Sequence, residues 1–285
     1  MHATLAARSR HFRWRLTFAL IAMLMIEDQA LSEFIIMTND GRNINNLYRK
    51  PLGPGSATKI GTVNYGGFIW ELQSGPDRDT LYGIDRERDR LLTIDIRSSA
   101  VVAQVSLDAN MPTNGRGFAV SPSGELFGIF RGKQLRSIDP MSGQTALIAN
   151  LPGFIVGTEA ITFDPRGILY ATASTSGGPF GRQLYALDPS NGQMHRIGPI
   201  GNSHIDIDTM TWASDGLLYG VDTLGTTGTT LWRIDPFTGA RSNISTLPGG
   251  VNGLHFIPEP GTGVLLVLFW GALRRASRPH RSAQR

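Results

Sequence analysis

The chain repeats itself. The stretches LYGIDRERDRLLTIDI (81–96), LFGIFRGKQLRSIDPMSGQ (126–144), LYATASTSGGPFGRQLYALDPSNGQ (169–193) and LYGVDTLGTTGTTLWRIDPFTGA (218–240) share one plan. Each is an apolar-aromatic strand, a turn, and a second strand ending in a hydrophobe and an aspartate. The aspartates, Asp95, Asp139, Asp188 and Asp235, are 44, 49 and 47 residues apart. After three of them comes Pro-x-x-Gly, in which proline sets φ for a turn and glycine supplies the left-handed position that closes it. NNLYRKPLGPGSA (45–57) is a degraded copy. A further strand precedes each unit: GGFIWELQ (66–73), GRGFAVSPSG (115–124), TEAITFDPRG (158–167), IDTMTWASDG (207–216) and VNGLHFIPEP (251–260).

A period of about 40–50 residues with about four strands per unit predicts sheets repeated radially around an axis. The first unit (34–65) lacks an innermost strand and the last strand (251–257) lacks followers, so the two ends complete one sheet together. The expected fold is all-β, a five-bladed β-propeller over residues 31–257. The SPSG, DPRG and ASDG turns resemble the turn between inner strands of many propellers, and the body resembles WD40, NHL and quinoprotein-like repeats. The 34 glycines and 18% charged residues suit a turn-rich β protein. The absence of cysteine excludes disulfides, thiolate metal sites and cysteine nucleophiles.

The formal charge of +4 invites a nucleic-acid reading, but nine of the 27 basic residues lie in the first fifteen and last twelve positions. The body keeps 18 against 23 acidic residues, a net −5. A basic footprint for phosphates is therefore absent, and no nucleic-acid partner is expected. The N-terminal basicity (Arg8 to Arg15) precedes an apolar run, Leu16 to Ile26, and then EDQALSE. That order predicts a secretory signal peptide over residues 1–30, ending at Ala30. Asp28 stands where a small residue is usual.

The C-terminus reads FIPEPGTGVLLVLFWGALRRASRPHR (256–281). Its apolar run, 263–273, would cover about 17 Å as a helix against roughly 30 Å of hydrocarbon core. It is short for a lasting anchor and suited to a transient one. Pro-Glu-Pro, a short apolar stretch and a basic cluster in this order resemble the PEP-CTERM sorting signal of Gram-negative-type bacteria that make exopolysaccharide. Pro258, Glu259 and Pro260 match the motif and Arg274 and Arg275 the cluster. The resemblance implies an exosortase-type processing enzyme as a partner, a short apolar helix over Val264 to Leu273, transient membrane association through 263–273, and export to the cell surface or extracellular matrix; with the apolar run of the signal peptide, short apolar helices are expected at both termini. It also implies polysaccharide surroundings, making a glycan or matrix protein the favoured ligand.

Aligning the inner strands on Leu72, Val120, Phe163, Trp212 and Phe256 places Trp70, Phe118, Ile161, Met210 and Leu254 in a core column. Two residues earlier stand Phe68, Arg116, Glu159, Asp208 and Asn252, a mostly polar column at the strands' entry end. Arg116, Glu159, Asp208 and Asn252 are the candidate ligand-binding residues; a closed ring with Arg116 paired to Glu159 or Asp208 is the alternative. Glu159 and Asp208 would also serve as the paired carboxylates of a saccharide hydrolase or lyase. His255, opposite Glu71 across the closing seam, would add acid–base capacity. His204, Asp206 and Asp208 alternate on one strand, though a polar loop entering a strand explains them as well. No phosphate loop, zinc signature or nucleophile elbow is present, so no cofactor or metal is expected.

Overall fold

In the computed structural model, residues 33–39, 44–108, 117–130, 133–153, 155–175, 182–201, 207–222, 229–247 and 249–257 are described, and all of their regular structure is β. The chain opens with β1 (Glu33–Asn39), β2 (Asn45–Pro51) and β3 (Thr58–Val63). Blade 1 follows as β4 (Ile69–Ser74), β5 (Thr80–Asp85), β6 (Arg90–Asp95) and β7 (Ala100–Ser106). Blade 2 is β8 (Phe118–Val120), β9 (Leu126–Phe130), β10 (Gln134–Ile138) and β11 (Thr145–Asn150). Blade 3 is β12 (Ile155–Phe163), β13 (Leu169–Thr175), β14 (Gln183–Leu187) and β15 (Met194–Pro199). Blade 4 is β16 (Ile207–Trp212), β17 (Leu218–Asp222), β18 (Thr229–Ile234) and β19 (Arg241–Leu247). The last strand, β20 (Val251–Ile257), joins β1–β3 to make blade 5. Every sheet is a four-stranded antiparallel meander, and the five inner strands β4, β8, β12, β16 and β20 touch one another in a closed ring. This is the five-bladed propeller read from the repeats.

Burial explains the repeat's composition. The second strands are enclosed on both faces, which is why LYGID, LFGIF and LYGVD read as continuous apolar runs. The outer strands are half-buried or exposed along nearly all their length. One apolar cluster fills each seam between neighbouring blades. Between blades 5 and 1, for example, Ile35, Met37 and Leu47 meet Leu72, Leu81 and Leu92.

Ring closure is stitched as well as packed. Glu33 pairs with Ile257 and Phe34 with Phe256, so the two ends of the repeat region are hydrogen-bonded neighbours. Across the adjoining seam, Asn45 donates from Nδ2 to the Gly67 carbonyl at 2.8 Å and accepts the Ile69 N–H at 3.2 Å. The Asp-x-x-x-Gly turns behave as their sequences require, with Gly143, Gly192 and Gly239 each at φ 74°. Blade 1 has Ser99 there, in the same left-handed conformation at φ 53°.

The compact propeller unit spans Ser32–Ile257. The expected signal peptide, the apolar stretch 263–273, the terminal helices, and the sorting residues Pro258, Glu259, Pro260, Arg274 and Arg275 lie outside the described residues.

Candidate functional site at the propeller mouth

The inner strands begin at one end of the ring, the mouth. Among the described residues, four of them carry an extra residue there, opposite an uninterrupted partner strand. In blade 1, Trp70 faces Ile84 and Leu72 faces Gly83, leaving Glu71 over. In blade 4, Ile207 faces Asp222 and Thr209 faces Val221, leaving Asp208 over. In blade 5, Val251 faces Thr38 and Gly253 faces Met37, leaving Asn252 over. In blade 3 there are two shifts, one between Ile155 and Gly157 and one between Thr158 and Ile161, and the second falls across Glu159 and Ala160. A β-bulge bends its strand and re-aims the side chain of the extra residue. The extra residues Glu71, Asp208 and Asn252 are polar, as is Glu159 at the second shift of blade 3.

The structure corrects the sequence alignment in blade 1. Ser74 pairs with Leu81 as Val120 pairs with Leu126, so β4 runs two residues further than the GPDRD turn suggests. Leu72, not Trp70, is the core counterpart of Phe118, Ile161, Met210 and Leu254. Glu71, not Phe68, is the bulged residue. The physical cause is the turn, which closes with the Gly75 N–H donating to the Thr80 carbonyl at 3.0 Å and leaves Gln73 and Ser74 in the strand. Arg116, His204 and Asp206 lie outside the described residues.

Each mouth residue has a distinct environment. Glu71 sits at φ 51° and is buried, and its Oε2 accepts the Phe118 N–H of blade 2 at 3.2 Å. Thr209 does the same for the Leu254 N–H, also at 3.2 Å, so the Glu71 carboxylate takes a hydroxyl's place in tying one blade to the next. Glu159 is held by Arg182 at 2.8 Å, within its own blade. Arg182 is a residue that sequence reasoning missed, because it follows a loop of no fixed period. Asp208 is buried. Two neutral groups at this end, the Oγ1 of fully buried Thr158 and the Nδ2 of Asn252, have no hydrogen-bond partner among the described residues. No group of three or more His, Asp and Glu suited to a metal ion occurs among the described residues.

His255 pairs in register with Ile35, and its Nδ1 is enclosed without a hydrogen-bond partner among the described residues. Burial holds its pKa down at about 4, against an ordinary 6.5. The folded protein therefore keeps the ring neutral, while between pH 6.5 and 4 the unfolded chain binds the extra proton. This contribution to stability is complete above about pH 6.5 and falls away as the pH drops toward 4, by at most about 3 kcal/mol. Replacing His255 with Gln should flatten the decline in melting temperature between pH 6.5 and 4.5; an unchanged decline would mean the imidazole is not the group responsible. The turn carboxylates Asp95, Asp139 and Asp188 do not confuse the result. Side-chain and backbone hydrogen bonds, chiefly from Ser98, Ser142 and Ser190, hold them below their ordinary 3.8, so they titrate at lower pH.

The chain matches no protein-family model and no curated protein. Solved structures resemble it at low identity. Hydrazine synthase from Kuenenia stuttgartiensis matches at 18% identity over 62% of this chain with a TM-score of 0.42, and this chain spans 49% of that one. The nidogen/laminin complex matches at 15% identity, covering 78% of this chain and 84% of the other, with a TM-score of 0.49. TolB from Acinetobacter baumannii matches at 14% identity, covering 80% and 67%, also at 0.49. Nothing about function follows from likenesses this distant.

Proposed function

We propose that this chain is an exported binding or structural module, a propeller displayed in the cell envelope or extracellular matrix that holds a glycan or matrix partner at its mouth. The bulges carry this reading. Those at Glu71, Glu159, Asp208 and Asn252 interrupt a ladder and carry polar residues at the same end of the ring. Burying such groups is costly unless they find partners. Thr158 and Asn252 offer a hydroxyl and an amide that a ligand would satisfy. Export and sorting rest on the sequence at the two ends, with an exosortase-type enzyme as the processing partner and a transient membrane stage through 263–273.

A glycan-array screen of the full chain, with and without calcium, tests the reading. Selective binding should weaken about tenfold in Asp208→Asn or Asn252→Ala, one lost hydrogen bond to a buried group accounting for that much. Binding indifferent to both variants would remove the mouth from the account. Cleaved glycans that disappear in the Glu159→Gln, Asp208→Asn double variant would turn the reading to a saccharide hydrolase. The same preparation from the cell surface should lack its C-terminal residues by mass spectrometry, and an intact Arg285 would end the sorting proposal.

A further inference from the structure

Strand direction gives the ring a second face, opposite the mouth. The inner strands run side by side in one direction, as Thr209 and Thr211 of β16 meeting the Leu254 and Phe256 N–H groups of β20 in order shows. They begin at the mouth and therefore end at the far face. In a four-stranded meander the third strand ends there too, so the turns that follow Asp95, Asp139, Asp188 and Asp235 all stand at the far face. The residue two places after each aspartate is Arg97, Met141, Ser190 and Phe237 in turn. Met141 is 87% exposed and Phe237 72%, the two most exposed large apolar side chains among the described residues.

Neither sits on a slack loop. The Met141 N–H donates to Asp139 Oδ1 and the Phe237 N–H to Asp235 Oδ1, each at 2.8 Å. The Ser142 hydroxyl and the Thr238 N–H donate to the same carboxylates. Each turn is thus tied down from inside, and its apolar tip is left standing in solvent. A phenyl ring and a thioether gain nothing from water, whereas the headgroup boundary of a bilayer accepts both.

The chain also enters and leaves the propeller at this face, since Glu33 at the start of β1 pairs with Ile257 at the end of β20. The apolar run 263–273 begins six residues after Ile257, and the run Leu16 to Ile26 ends seven residues before Glu33. Chain segments of that length reach at most about 25 Å. A membrane that took up either run would have its surface within that reach of the far face.

We propose that the far face docks on a zwitterionic lipid surface, with Met141 and Phe237 entering the headgroup boundary and the mouth turned to water. This rests on the membrane stage proposed above, and it adds which side of the propeller meets the lipid. Carboxylates stand beside both tips, so a zwitterionic surface suits them better than an anionic one. Contact made by apolar insertion is not screened by salt.

The chain holds no cysteine, so Phe237→Cys, Met141→Cys and, on the mouth-side turn, Glu87→Cys each give the full chain one site for an environment-sensitive fluorophore. All three positions are exposed. Flotation with phosphatidylcholine–phosphatidylethanolamine vesicles reads attachment, and a nitroxide on some of the acyl chains reads depth. Labels at positions 237 and 141 should shift to the blue and lose emission to the nitroxide, at low and high salt alike. The label at position 87 should keep its aqueous emission. Adding Phe237→Asp to the Met141→Cys chain should return the label at position 141 to water while the chain still floats. A label that stays quenched in that double variant would mean that the tether alone brings it near lipid, and it overturns the docking. Aqueous emission at positions 237 and 141 on floating chain, or quenching at position 87, also overturns the docking and leaves the membrane stage standing. A chain that does not float overturns the membrane stage, and this inference with it.

Discussion

Gly143→Ala should lower the melting temperature by roughly 6–12 °C, the effect of about 3 kcal/mol on a domain of this size. Two costs combine. The residue sits at φ 74°, a conformation unfavourable to any side chain. A Cβ there would also lie 2.0 Å from the Ser106 carbonyl oxygen and 2.8 Å from its carbon. That obstacle is backbone, in the outer strand of the preceding blade, and cannot swing aside. The contact belongs to a clasp between blades 1 and 2, in which the Asp108 N–H donates to the Gly143 carbonyl and the Asp108 carboxylate accepts from the N–H and hydroxyl of Thr145. Gly216 provides the control. It too is left-handed, at φ 81°, but nothing lies within 4 Å of its added Cβ. Gly216→Ala should cost only the conformational strain, roughly 1 kcal/mol. Equal losses in differential scanning calorimetry would refute the clasp.

Phe34→Ala tests closure of the ring. Phe34 is fully buried in β1, with its ring 4.9 Å from Tyr219 of blade 4 and 5.4 Å from Phe256 of its own blade. Truncation removes a ring that three strands enclose, and the expected loss is about 3–5 kcal/mol. A shift of the urea midpoint to lower concentration, with unchanged slope, is the signature. Phe237, 72% exposed on a turn, gives the comparison: Phe237→Ala should leave the midpoint where it is. If the two variants unfold alike, blade 5 is not assembled from both ends of the repeat region.

How much of this was legible beforehand differs between fold and site. The aspartate spacing and the Pro-x-x-Gly turns were enough to count five blades and to pair residues 34–65 with 251–257. Both signals are local: a turn's chemistry is written in four residues, and strand burial shows as an apolar run. Glu159, Asp208 and Asn252 were also within reach, because their strands end in short, similar turns that align by inspection. Blade 1 was not. Its GPDRD turn begins two residues later than alignment implies, and the bulge at Glu71 depends on which backbone groups face one another across strands.

The sequence by itself determined the repeat, the blade count, the closure partners and the net negative charge of the body, since these follow from composition and short-range pattern. Only the tertiary structure decided that Glu71 replaces Phe68 in the mouth column, that Arg182 holds Glu159, and that Leu72 and not Trp70 takes the core position of β4. All three are matters of register and of approach between neighbouring strands. An inserted residue moves a side chain from a seam to the mouth without changing the periodicity that a reader of the sequence can see.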